Sequence, residues 1–112
     1  MQQYGAPAQG TYTLVGADDK DEIISAPGAG KRLHVVRGVV SIYHENLIGS
    51  YVYLSNGGAT IYWEVYTSTA ANLKSYAVDF GDEGIEMDLN TGFYLGCTGH
   101  PSARATFVGY VR

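Results

Sequence analysis

Residues 23–43 read IISAPGAGKRLHVVRGVVSIY: a short apolar run, a Pro27-Gly28-Ala29-Gly30 turn, the basic pair Lys31-Arg32, and then the longest strand-forming stretch in the chain. What the turn does decides the fold. A phosphate-binding loop needs a glycine, four spacers, Gly-Lys and then Ser or Thr, so that backbone N–H groups at a helix start cradle phosphate while the hydroxyl holds magnesium. Here Ser25 stands at the first glycine position and Arg32 at the hydroxyl position. The residues that follow, Leu33-His34-Val35-Val36, are apolar and largely β-branched, which continues as strand rather than helix. The stretch therefore predicts a corner that ends one strand and launches the longest one. Along that strand Leu33, Val35 and Val39 are apolar on one parity and Val36, Val40 and Ile42 on the other. The inward parity has to switch, and Gly38 is the residue expected to permit a bulge.

The same strand-and-turn rhythm runs outward from the corner. Upstream, residues 1–10 are, after Met1, Gln, Gly, Ala and Pro around Tyr4 and predict an extended arm, flexible or ordered by a partner. Thr11–Val15 is a first strand, residues 16–21 a charged turn and Glu22–Ala26 a second strand. Downstream, Ser50–Ser55 and Ala59–Tyr66 flank Asn56-Gly57-Gly58, the strongest hairpin signal in the chain. Leu73–Phe80, Ile85–Leu89, Phe93–Cys97 and Ala103–Val111 follow, separated by glycine-rich turns. No segment keeps a 3.6-residue period, so no helix is predicted. Roughly eight or nine short strands predict an all-β fold: an antiparallel, jelly-roll-like β-sandwich in one domain over 11–112, with the arm extending from it.

Composition narrows the function classes. The 112 residues include 15 glycines and 10 tyrosines with only 16% charged, as expected for many short strands joined by turns. A net charge of −4 with seven scattered basic residues gives no footprint for a nucleic-acid backbone. The N-terminus lacks the basic and apolar regions of a signal peptide, and no apolar run reaches membrane-spanning length. The expectation is synthesis in a cytoplasm, with neither nucleic acid nor membrane as partner. Cys97 alternates with Phe93 and Leu95 and reads as a small core residue.

Tests for catalytic or metal chemistry find little to build on. His34 and His44 lie ten residues apart, roughly 33 Å along an extended strand, and His100 sits in a loop beside Pro101, so all three read as surface or rim histidines. Asp18, Asp19, Asp21 and Glu22 form one acidic cluster, and Asp79, Asp82, Glu83, Glu86 and Asp88 a second. Neither has the spacing of an EF-hand, and Glu86 and Asp88 alternate with Ile85, Met87 and Leu89 as a solvated sheet face does. No Gly-x-Ser-x-Gly elbow is present. No catalytic residue, metal ligand or cofactor is assigned, and a non-enzymatic protein is expected.

The tyrosines are more informative. Tyr51, Tyr53, Tyr62, Tyr66 and Tyr94 occupy the parity opposite the apolar set, which predicts a sheet face carrying several aromatic rings. Such rings give broad contact area for protein partners or stacking platforms for sugars; equally, they brace neighbouring strands. Trp63, in phase with Ile61 and Val65, reads as core. Tyr4 in the arm and the strand-start pair Lys31 and Arg32, placed to meet a neighbouring subunit's carboxylate, complete the candidate interface.

The succession EIISAPGAGKRLHVVRGVVSI, SNGGATIYWEVY, GDEGIEMDL, TGFYLGCTG and a closing ATFVGYV resembles the small β-sandwich structural proteins encoded in tailed-bacteriophage genomes. The resemblance covers residues 22–111. It implies a non-enzymatic virion component made in the host bacterial cytoplasm: a capsid decoration (cement) protein, or a head or tail fibre module. It also implies a symmetric homo-oligomer, a trimer by preference, whose arms reach the major capsid protein or other virion subunits. The alternative is a carbohydrate-binding module, a receptor-binding fibre tip or a lectin, that takes glycan on the exposed tyrosines.

Overall fold

A computed structural model describes the backbone of residues 6–15 and, with side chains for nearly all positions, residues 20–42, 50–67, 74–98 and 102–112. Nine strands are described: β1 (Ala6–Val15), β2 (Lys20–Ile24), β3 (Arg32–Ile42), β4 (Ser50–Ser55), β5 (Ile61–Thr67), β6 (Lys74–Asp79), β7 (Ile85–Leu89), β8 (Phe93–Cys97) and β9 (Ser102–Val111). One sheet has the order β1-β9-β3-β6, with β7 also on β3, and the other has the order β2-β8-β4-β5. All pairs are antiparallel.

The pairs nest as β4 with β5, β3 with β6 and β7, β2 with β8, and β1 with β9, as if one long hairpin with its tip at Asn56–Gly58 had been rolled into two sheets. That is the jelly-roll topology, with its sixth position divided between β6 and β7. The tip is held locally. Asn56 Oδ1 accepts from the Gly58 N–H at 2.8 Å, and the Asn56 N–H donates to the Thr60 carbonyl at 3.2 Å.

The opening corner behaves as a change of sheet. Gly28 and Gly30 have φ of 110° and 78°, the left-handed region that only glycine enters at little cost, and the chain passes from β2 in one sheet to β3 in the other. The Lys31 N–H closes the turn on the Gly28 carbonyl at 3.2 Å. Strand, not helix, follows the Gly-Lys pair, so the phosphate-loop geometry is absent here.

Two local expectations are corrected. The parity switch in β3 falls at Val36, between the paired residues Val35 and Arg37, while Gly38 is regularly paired with Val78 and Phe107. A bulge whose extra residue keeps a right-handed conformation accepts any side chain, so no glycine was required. The bulge sits where the edge of β3 changes partner from β7 to β6, and the Val36 carbonyl accepts the Phe80 N–H at 2.8 Å. The second correction concerns residues 6–10. Expected in the arm, they form the first half of β1 and pair with residues 107–111 of the same chain, because the β9 edge offers them a full backbone ladder. Tyr4 and the rest of residues 1–5 lie outside the described residues.

The core fills the space between the sheets. Leu33, Val35, Val40 and Ile42 of β3 meet Val52 and Leu54 of β4, Phe93 and Leu95 of β8, and Phe107 of β9, all essentially inaccessible to solvent. Phe93 and Phe107 pack edge-on at 5.2 Å, and Phe80 stands within 6.4 Å of both. Burial of these side chains, at about 25 cal/mol per Å² of apolar surface, is the main force holding the sheets face to face.

Candidate functional site

The outer face of the four-stranded sheet carries most of the tyrosines singled out in the sequence, and its register sets them in rows. Lys20 of β2 pairs with Gly96 of β8, Gly96 with Tyr53 of β4, and Tyr53 with Glu64 of β5. In the adjoining row Glu22 pairs with Tyr94, Tyr94 with Ser55, and Ser55 with Ile61. Tyr51 pairs with Tyr66, and their rings meet at 4.8 Å with a tilt of 53°.

Glycines decide how these rings lie. A Cβ at Gly96 would run into the Tyr53 ring, and one at Gly57 into the Tyr94 ring, so both rings rest on backbone instead of standing out from the sheet. The Tyr94 hydroxyl donates to Glu22 Oε2 at 3.3 Å, and Lys20 Nζ donates to the Gly57 carbonyl at 2.6 Å. Tyr53 and Tyr94 are consequently half-buried, whereas Tyr51 is 41% and Tyr66 52% exposed. The result is a broad aromatic surface edged by one cation, Lys20, and two carboxylates, Glu22 and Glu64. It suits contact by area, with phenol groups for polar anchoring.

Tyr62 does not belong to this face. β5 is irregular between Ile61 and Trp63, leaving Tyr62 as the extra residue, and this turns its ring onto Phe93 at 6.3 Å. The same bulge turns Ile61, expected in the core, outward to 49% exposure. Burial, and to a lesser degree the charge of Asp88, push the Tyr62 phenol above its ordinary pKa. Trp63 is half-buried against the core and meets Tyr76 edge-on at 5.6 Å, in keeping with its core assignment.

The basic pair lies at the start of β3, in the other sheet. Lys31 is exposed at the corner, and Arg32 Nη1 donates to the Met87 carbonyl at 3.2 Å, so the arginine braces β7. The fold therefore unites Tyr51, Tyr53, Tyr66 and Tyr94, and leaves Tyr62, Lys31 and Arg32 elsewhere. Ile61, Glu64 and Lys20 join the face without having been singled out. The Asn56-Gly57-Gly58 turn pointed to the β4–β5 pairing, but the bulge in β5 left no mark in the sequence.

His34, expected at a surface or rim, is buried. Its ring stacks on Tyr110 at 4.6 Å and 3°, Nε2 lies 3.3 Å from Glu86 Oε2, and Nδ1 has no hydrogen-bond partner among the described residues. The cause is the cross-strand row of Tyr110, His34 and Glu86, in which the flat tyrosine covers the imidazole. His44 and His100 lie outside the described residues. Cys97 is buried, as its alternation predicted. In the second acidic cluster, Arg37 engages Asp79 at 3.6 Å and Asp82 at 3.1 Å. Among the described residues no three acidic, histidine or cysteine side chains converge as a metal site, and no helix is long and apolar enough to cross a membrane.

No protein-family model and no curated protein matches the chain. Solved structures do. A chain of the cyanophage Pam1 capsid asymmetric unit superposes with a TM-score of 0.52 at 10% identity, over 98% of this chain and 89% of that one. A chain from Bacillus endospore appendages, described as disulfide-linked pili, superposes with a TM-score of 0.50 at 10% identity, over 96% and 90%. At this identity the likeness establishes a shared β-sandwich fold.

Proposed function

We propose that this protein is a non-enzymatic structural subunit of a tailed-phage virion: a capsid decoration protein that acts as a symmetric oligomer, a trimer by preference, and stabilises the particle. The observation that carries this reading is the fold shared over nearly the full length of both chains with a component of a cyanophage capsid asymmetric unit. The likeness takes in 98% of this chain and 89% of that one, so the two are of about the same size. The mechanism is contact by area. The face built on Tyr51, Tyr53, Tyr66 and Tyr94 meets neighbouring copies, and residues 1–5 together with one loop end engage the major capsid protein or other virion subunits. Roughly 1,600 Å² of buried surface is the scale of a stable contact of this kind. The test is a phage that carries the gene and its deletion derivative. Deletion particles should lose genome at lower temperature and regain resistance when purified protein is added back. Particles equally stable without the protein would overturn the reading.

A glycan-binding role is the second reading, favoured by the exposed Tyr51–Tyr66 pair beside Glu64. It predicts glycan-array binding that Tyr66→Ala removes while the fold survives. Tyr62 and Trp63, turned toward the core, are not stacking platforms.

A further inference from the structure

Edge strands present unpaired backbone N–H and C=O groups, and proteins guard them with charges, prolines or irregularities. The edges of this sandwich are unequally guarded. β6 and β7, on one side of the five-stranded sheet, carry Lys74, Asp79, Glu86 and Asp88, and β1 on its other side carries Pro7. β5, the edge of the four-stranded sheet, reads IYWEVYT: β-branched and aromatic residues with Glu64 as its single charge. Ile61 and Tyr66 stand about half exposed along it.

The opposite edge of the same sheet is β2, which begins at Lys20. Lys20 and Glu64 are the two ends of one row, running Lys20, Gly96, Tyr53, Glu64. Because each successive strand is antiparallel to the last, β2 and β5 run in opposite directions. A second copy placed beside the first in the same orientation therefore lays its β2 antiparallel to β5, continues the ladder with the same face outward, and brings its Lys20 next to Glu64.

We propose that copies of this chain associate edge to edge, β5 of one with β2 of the next, and that Glu64 and the Lys20 of the second copy fix partner and register. Of the two edges of this sheet only β2 supplies a counter-charge for Glu64, while Glu22 of the same strand falls one row away, opposite Ile61. Within its own chain Lys20 Nζ donates to the Gly57 carbonyl. The contact is heterologous, so it closes into a ring where the rotation between copies allows and forms an open row otherwise. It continues the tyrosine face across subunits. The inference rests on the oligomer reading above and adds an edge contact to the one made by the tyrosine face.

The test uses the full-length chain with Lys20→Cys and Glu64→Cys as separate variants, Cys97 being buried in each. Mixed under mild oxidation they should give a covalent dimer that neither gives alone, and the double variant should give a series of linked oligomers. Independently, Lys20→Glu and Glu64→Lys should each weaken association about 5-fold or more, and their combination in one chain should restore it. An oligomer with no mixed cross-link, or Glu64→Cys linking to itself, overturns the β5–β2 contact and leaves the oligomer reading standing. A chain that stays monomeric by light scattering at high concentration overturns both.

Discussion

Phe107 lies over Gly38. The two are paired across β3 and β9, and a side chain at Gly38 would run into both the Phe107 ring and the Thr106 carbonyl. Backbone cannot yield as a side-chain tip can. Gly38→Ala is therefore expected to destabilise by about 3 kcal/mol, the upper end of overpacking, and Gly38→Val to prevent folding. Chemical denaturation followed by tryptophan fluorescence measures the first. Lys31→Ala, at the exposed corner, is the control and should leave the midpoint unchanged.

Gly96 makes the parallel case on the outer face, with a different outcome. What a Cβ there meets is the outer end of the Tyr53 ring, a group able to swing away. Gly96→Ala should cost only about 1 kcal/mol while lifting Tyr53 off the sheet. A stable, folded Gly96→Ala protein with weakened self-association is the expected result; an unfolded one would show that the ring is fixed in place.

His34 leaves one ring nitrogen buried without a partner among the described residues, and its other nitrogen meets the exposed Glu86, which water can satisfy. Replacing the imidazole by a flat apolar ring removes the orphan and keeps the stack on Tyr110. His34→Phe is expected to stay within about 1 kcal/mol of the parent, whereas His34→Ala should lose about 2 kcal/mol or more from the emptied volume. Thermal melts of the two variants separate a packing role from a polar one. A His34→Phe loss as large as that of the alanine would show that the Glu86 contact matters.

Tyr62 sets an alkaline limit. Its folded pKa is raised above the ordinary value of 10.0, so its contribution is fully present below the unfolded pKa and is lost as pH rises through the folded one. Relative to the parent, Tyr62→Phe should have the same stability at neutral pH and greater stability in strong alkali. Ultraviolet titration of the phenolates should show a late-ionising component that vanishes in the variant. Equal alkaline sensitivity in both proteins would remove Tyr62 as the cause.

Local pattern set out most of the architecture in advance. Period-2 alternation placed β4, β7 and β8 at the bounds the structure shows, and the failed phosphate-loop spacing around Gly30-Lys31 pointed to the corner between β2 and β3. Both readings depend on neighbours along the chain, where strand sterics and turn dihedrals act directly. The strand parity of Tyr51, Tyr53, Tyr66 and Tyr94 was legible for the same reason, whereas Tyr62, read with them, lies off their face.

What only the tertiary structure decided follows from contacts between residues far apart. The bulges at Val36 and Tyr62 arise where an edge changes partner or a hairpin loses register, and each reverses the parity of everything beyond it. They removed Tyr62 from the outer face, exposed Ile61 and made Gly38 a point of close approach. The residues 6–10 became strand because β9 offered an edge, and His34 became buried because Tyr110 stacked on it. The row that joins Lys20 to Glu64 spans four strands and exists only once the long hairpin is rolled up. Strand identity is a local property of this sequence; which side chains meet is fixed by a register that no local stretch encodes.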